Sequence, residues 1–170
     1  TETRSERILP TVERGELLTI PGCLRPSSVI DLELRYLRSA DKPLGRRTKV
    51  LFHHGTRQIT GTLILLDSPT LEPGATGLFQ ARLELPVVAL PGDHFIVRGF
   101  RVLQSHGTTL GGGTILRAHP AKHRLNRRDD LQKALEFLRR ISKGDAEERV
   151  LVEIEDAGYE VTRLAGNSRY

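Results

Sequence analysis

Seven runs of aliphatic and β-branched residues recur between Gly and Pro punctuation: Glu16 to Ile20, Val29 to Leu37, Lys49 to His53, Gln58 to Leu66, Gly77 to Leu85, His94 to Phe100, and Thr109 to Ala118. Their length and spacing predict the short strands of an all-β barrel or sandwich. Alternation is explicit in the second run, with Ile30, Leu32, Leu34 and Tyr36 on one face and Asp31, Glu33 and Arg35 on the other. A period of two places the first set in a core and the second in water. Gly77, Phe79, Ala81, Leu83 and Leu85 repeat the pattern, with Gln80, Arg82 and Glu84 facing out. Gln58 to Leu66 ends in a continuous apolar run, as expected of a more central strand, and Gly61 within it predicts a bend or bulge.

Two stretches suggest how such a sheet turns and closes. Pro91-Gly92-Asp93 is a corner that launches His94 to Arg98. Gly111-Gly112-Gly113 interrupts the last apolar strand, where missing Cβ atoms permit close backbone approach and unusual dihedrals. The pattern describes a small β-barrel.

The period changes after His119. Leu131, Ala134, Leu135, Leu138 and Ile141 share one face of a helix, with Asp129 or Asp130 available as N-cap and Arg139, Arg140 and Lys143 near its C-terminus. A second helix is expected from Asp145, with Glu148 three residues on as a partial capping box, through Val150, Leu151 and Ile154 to Gly158. Tyr159 to Leu164 could add a short strand. Pro120 to Arg128 holds Lys122, Arg124, Arg127 and Arg128 with no acidic residue, and reads as a linker kept in solvent by its charge.

Charge sharpens this division. Residues 1–128 carry 19 Lys and Arg against 11 Asp and Glu, whereas residues 129–170 carry 7 against 10, so the overall +5 conceals a strongly basic barrel region and an acidic tail. A positive field favours a polyanion such as RNA. The lone Cys23 can form no internal disulfide, and no signal peptide or membrane-length apolar span stands out, which fits a reducing, cytoplasmic setting. The first residue is Thr and the opening stretch is polar and unpatterned, so the chain is expected to be a piece of something longer.

Several chemistries lack their residues. No glycine precedes a lysine, which excludes a phosphate-cradling loop, and no catalytic activity is expected of this chain itself. His53 and His54 should point to opposite faces of a strand, and His119 and His123 flank Pro120, so no zinc site is expected. Ser105 and His106 diverge as strand neighbours and lack an orienting carboxylate.

The ordered motifs Arg14-Gly15-Glu16-Leu17-Leu18, Pro21-Gly22-Cys23, Pro43-Leu44-Gly45-Arg46-Arg47, His53-His54-Gly55-Thr56, Thr60-Gly61-Thr62-Leu63 and Leu110-Gly111-Gly112-Gly113-Thr114 resemble the junction of the second and third domains of translational GTPases. The His-His-Gly-Thr and triple-glycine elements are similar to the selenocysteine-specific elongation factors more than to elongation factor Tu. The resemblance covers about residues 11–128. It implies a closed antiparallel six- or seven-stranded Greek-key barrel at 27–118, preceded by the end of a second barrel at 1–26, followed by the basic linker 119–128 and by the helical start of a winged-helix module at 129–170.

In such factors the third barrel packs on the GTPase and second domains and helps hold an aminoacyl-tRNA by its acceptor and T stem. The implied partners are therefore selenocysteinyl-tRNA, those two domains, the ribosome, and a selenocysteine-insertion mRNA hairpin reached through further C-terminal modules. GTP and Mg would belong to an upstream domain, with no cofactor here. By motif position, Thr60 matches the threonine beside the T stem, and His106, Gly107 and Thr108 match the turn before the last strand. Arg46, Arg47 and Arg57 join them as RNA-binding candidates on charge and loop position. Arg46, Arg47 and Lys49 are equally readable as a solvated rim, Thr60 as a turn residue, and His53 and His54 as packing or domain-contact residues. Another translational GTPase of the same architecture, or a barrel whose basic face meets an acidic protein, are the competing readings.

Overall fold

The computed structural model describes residues 15–17, 19–20, 22–103 and 107–156. The strands are β1 (Ser27–Tyr36), β2 (Leu44–Gly45), β3 (Arg47–His54), β4 (Arg57–Leu65), β5 (Thr70–Leu71), β6 (Thr76–Val87), β7 (His94–Leu103) and β8 (Gly107–Arg117). Two helices follow, α1 (Arg128–Lys143) and α2 (Ala146–Asp156). Six strands close a barrel in the order β1-β6-β4-β3-β7-β8, and β2 pairs with β5 as a separate ribbon. Each pairing around the barrel is antiparallel. Of the seven runs, the six from residue 29 onward form this cylinder, whereas described residues between 15 and 20 are turn and coil.

Strand parity sorts the core as expected. Ile30, Leu32, Leu34, Val50, Phe52, Leu63, Leu65, Phe79, Ala81, Val97 and Ile115 are buried inside the cylinder. Phe52 stacks on Phe95 with ring centroids 5.1 Å apart. Parity lapses at Leu85 of β6, which is exposed where the β1–β6 register shifts between Val29↔Arg82 and Ser27↔Val87, and Val87 is buried in the core again.

The glycines act through proximity. A Cβ built on Gly113 would lie 1.8 Å from the Glu33 carbonyl oxygen, and one on Gly111 2.3 Å from that of Arg35. The unusual dihedrals expected of this triplet are absent, since its residues are not among the glycines of positive φ. Gly61 likewise marks close approach to Arg82 and Leu83 and not a bulge, the β3–β4 register being continuous through it. Gly92 does need its freedom. It takes φ 93° in the Leu90–Asp93 turn, which Asp93 tightens by accepting the Leu90 N–H at 2.8 Å.

The largest departure from the sequence-based picture lies outside the barrel. Asp31 and Gln80, expected in water, are fully buried. Ala121 to His123, expected as part of a solvated linker, lies on them. Beside this contact Ile64, Leu66, Leu78 and Leu116 point out of the cylinder and meet Leu138, Ile141 and Val152 in a second core, with Leu125, Leu131, Leu135 and Phe137 around it. Ser142 hydrogen-bonds Glu33, and Arg117 sits over the Phe137 ring at 4.8 Å. The helices are thus docked on β1, β4, β6 and β8.

The helix ends differ from one another. α1 begins at Arg128 with Arg127 as N-cap and no side-chain cap, so Asp129 and Asp130 serve its first turn and not its cap. Asp145 caps α2 as expected, accepting the Glu148 N–H at 2.9 Å. Gly158 and the strand expected at Tyr159 to Leu164 lie outside the described residues. Among the described residues no helix is long and apolar enough to cross a membrane.

Candidate nucleic-acid interface

With the helices occupying one half of the cylinder, the outward faces of β3, β7 and the first part of β4 are left uncovered by the described residues. In β4 the inward residues are Ile59, Gly61 and Leu63, so Gln58, Thr60 and Thr62 face out. In β3 Val50 and Phe52 face in, leaving Lys49, Leu51 and His53 outside. In β7 Phe95 and Val97 face in, leaving Ile96 and Arg98 outside, followed by Phe100.

Register aligns these residues in rows. Thr60 and Arg98 both pair with Leu51, Thr62 pairs with Lys49, and Gln58 and Ile96 both pair with His53. Neighbouring strands are about 4.8 Å apart, so Thr60 and Arg98 stand roughly 10 Å from each other across the wall. None of these outward residues is a carboxylate. Lys49 reaches Glu84 on the adjoining β6 at 3.9 Å, but both side chains are largely exposed and such a pair is weak. Ile96 and Phe100 are 51% and 59% exposed, giving the wall an apolar element beside its cations.

His53 sits inside this surface, half-buried, and its Nε2 is buried without a hydrogen-bond partner among the described residues. Burial, and secondarily the Arg98 charge, push its pKa below the ordinary imidazole value of 6.5. The folded chain therefore resists protonation that the unfolded chain accepts. Stability attributable to this residue is intact above the ordinary imidazole range and falls as the pH drops through it. A His53→Gln chain is expected to lose less stability than the parent between about pH 7 and pH 5, read from urea midpoints. Equal losses in both chains would count against this environment for His53.

His54 takes the opposite parity, as predicted, and its Nε2 lies 3.0 Å from Asp93 Oδ2, joining the β3–β4 turn to the Pro91-Gly92 corner. Among the described residues no three His, Cys, Asp or Glu side chains gather to hold a metal.

The sequence-selected candidates do not converge on one spot. Exposed Arg46 and Arg47 stand at the upper rim where β3 begins, and Gly107 and half-buried Thr108 begin β8 at the same rim. Arg57 opens β4 at the opposite rim, roughly 23 Å away along the strand. Thr60 lies mid-wall between them. His106 is outside the described residues. Lys49, read from sequence as rim or footprint alike, lies on the wall, and Arg98 beside it was not among the sequence-selected candidates. The signal available for Arg98 was parity, since Phe95 and Val97 inside require Ile96 and Arg98 outside.

Comparison with known proteins decides the family. A model described as the β-barrel domain of the selenocysteine-specific elongation factor matches residues 32–122. The chain belongs to the selenocysteine-specific elongation factor family. It is 40% identical over 147 residues to the selenocysteine-specific elongation factor of Desulfomicrobium baculatum, a match that takes in 86% of this chain. It spans 22% of that relative's length. The family-matched segment begins inside β1 and ends at Lys122, so it includes the whole of the open wall.

Proposed function

We propose that this barrel presents its β3–β7 wall to the acceptor and T stem of selenocysteinyl-tRNA, as one part of a GTP-dependent factor that delivers it to the ribosome in the cytoplasm. In this reading 27–118 is the third barrel, 1–26 ends a second barrel, 119–128 connects onward, and 129–170 opens a winged-helix module whose continuation reaches an mRNA hairpin. GTP and Mg are held by an upstream domain, and this chain contributes binding and not catalysis. What carries the reading is the wall of Lys49, Arg98, Thr60 and Thr62, uncovered by the described residues and with no carboxylate of its own on β3, β7 or the first part of β4, in a chain of this family. An RNA duplex offers phosphates and 2′-hydroxyls across a shallow groove, and cations beside short hydroxyl side chains suit both.

A salt titration of tRNA binding tests it. Each phosphate neutralised contributes roughly 0.7–0.9 to the slope of log affinity against log salt, so the Lys49→Glu, Arg98→Glu double variant should flatten the slope by about 1.5 and bind at least about tenfold more weakly. Arg57→Glu, at the far rim, should change little. A salt-independent affinity, or a double variant that binds as well as the parent, would remove the wall from the tRNA site. The exposed Ile96 and Phe100 favour a second reading, in which a neighbouring protein domain covers this wall. That outcome would show as tRNA affinity indifferent to Lys49 and Arg98.

A further inference from the structure

We propose that Ala121 to His123 form a latch that makes the helical pair and the barrel one cooperative unit, so that α1 opens only when the barrel opens. The latch is polar and reads backbone atoms. Asp31 and Gln80 are directly opposed on β1 and β6, and the Gln80 Nε2 amide donates both to Asp31 Oδ1 and to the Ala121 carbonyl, each at 3.0 Å. Gln80 Oε1 accepts the His123 backbone N–H at 3.1 Å, so one side-chain amide grips the passing segment the way a neighbouring strand would. Arg82 donates from Nε and Nη2 to Gln80 Oε1, and from Nη2 to the His123 carbonyl at 2.9 Å. The His123 ring completes the set, its Nε2 lying 2.8 Å from Asp31 Oδ2. A carboxylate only accepts, so it selects the Nε2–H tautomer as donor.

Three features make this a joint and not an incidental contact. Asp31 and Gln80 are wholly buried on the outside of a barrel, where they would be solvated without the segment above them. Removing any one partner strands the others away from water, which gives the network all-or-none character. Second, α1 lacks a side-chain N-cap, so its starting point is set by what precedes it. Arg124 and Arg127 carry that constraint through backbone hydrogen bonds from the latch into the first helical turn. Third, the apolar contacts of Leu138, Ile141 and Val152 specify burial but not register, whereas hydrogen bonds to the Ala121 and His123 backbone fix the segment to the residue.

The joint also connects to the open wall. Arg82 is in register with Thr62 on β4, and Thr62 with Lys49 on β3, so a single cross-strand row runs from the latch to the wall. The attitude of the helices is thereby tied to the strands that carry the wall.

Native-state hydrogen exchange of the 170-residue chain across a urea series tests the latch. In the parent chain α1 amides should open with the same urea dependence as those of β1 and β6. A His123→Ala chain should exchange at α1 at least about tenfold faster, the equivalent of one hydrogen bond to a carboxyl group, and β1 and β6 should accelerate by the same factor, because one opening exposes them all. Three results overturn the proposal: α1 opening at lower urea than β6 in the parent, α1 exchange unchanged in His123→Ala, or acceleration of α1 in that variant with the barrel strands left at their parental protection. The parent series decides alone if His123→Ala does not fold.

Discussion

A Gly113→Ala chain is expected to lose the closed barrel. The added Cβ would stand 1.8 Å from the Glu33 carbonyl oxygen and 2.9 Å from its carbon, both backbone atoms that no rotamer change can move. β8 cannot retreat, because it is paired with β1 on one side and β7 on the other. Overpacking among side chains costs about 1–3 kcal/mol, and a backbone collision belongs at or above the top of that range. Against a total stability of about 5–15 kcal/mol, the result is a large fall in the urea midpoint or an open sheet. Far-UV circular dichroism through a urea titration reads it. An unchanged midpoint would mean that β8 does not close on β1 in solution. Gly112 faces the other neighbour, with its Cβ 2.8 Å from the Phe95 carbonyl oxygen, so the triplet serves two seams in alternation.

Phe52→Ala should destabilise the chain by about 3–5 kcal/mol, the usual range for emptying a large aromatic site in a core. Phe52 is fully buried and stacks on Phe95 across the β3–β7 seam, so its loss opens a void where neither strand can collapse inward without breaking the cylinder. Leu138→Ala offers the contrast. Leu138 is equally buried but belongs to the second core, where about 2–5 kcal/mol is at stake between the helices and the barrel's exterior. Urea unfolding of both variants, followed by hydrogen exchange at β3 and at α1, compares the two cores, and in one cooperative unit protection falls at both elements in either variant. Loss of protection at β3 is expected for Phe52→Ala. A Phe52→Ala midpoint within error of the parent would refute the stacked core.

The two cores also explain why the open wall lies where it does. Ile64, Leu66, Leu78 and Leu116 give β4, β6 and β8 an apolar outward face that water does not favour, and the helices cover it. The outward residues of β3 and β7 are mostly polar or cationic, with Leu51, Ile96 and Phe100 as the apolar exceptions, and no element of the described chain lies over them. Coverage of one half therefore defines the other.

Parity along a strand is a local property, and residue order was enough to place Ile30, Leu32, Leu34, Phe79 and Ala81 inside a β-barrel, to mark Pro91-Gly92 as a turn, and to find the apolar stripe of α1. The ordered glycine and histidine motifs pointed in addition to the family that comparison then established. Parity says which side a residue faces, but not what meets it there. Asp31 and Gln80 face outward as their positions require, yet they are buried because a segment about 40 to 90 residues later in the chain returns to lie on them. The charges of Lys122, Arg124, Arg127 and Arg128 spoke for a solvated linker, and those four side chains do face water, while the docking is done by backbone groups, His123 and Leu125. Likewise, Arg47 and Arg57 look like near neighbours in sequence and stand at opposite rims, whereas Lys49, Thr60 and Arg98 come from three strands to share one wall. Burial and proximity of this kind depend on contacts between distant segments, which arise only once the cylinder has closed and the helices have settled against it.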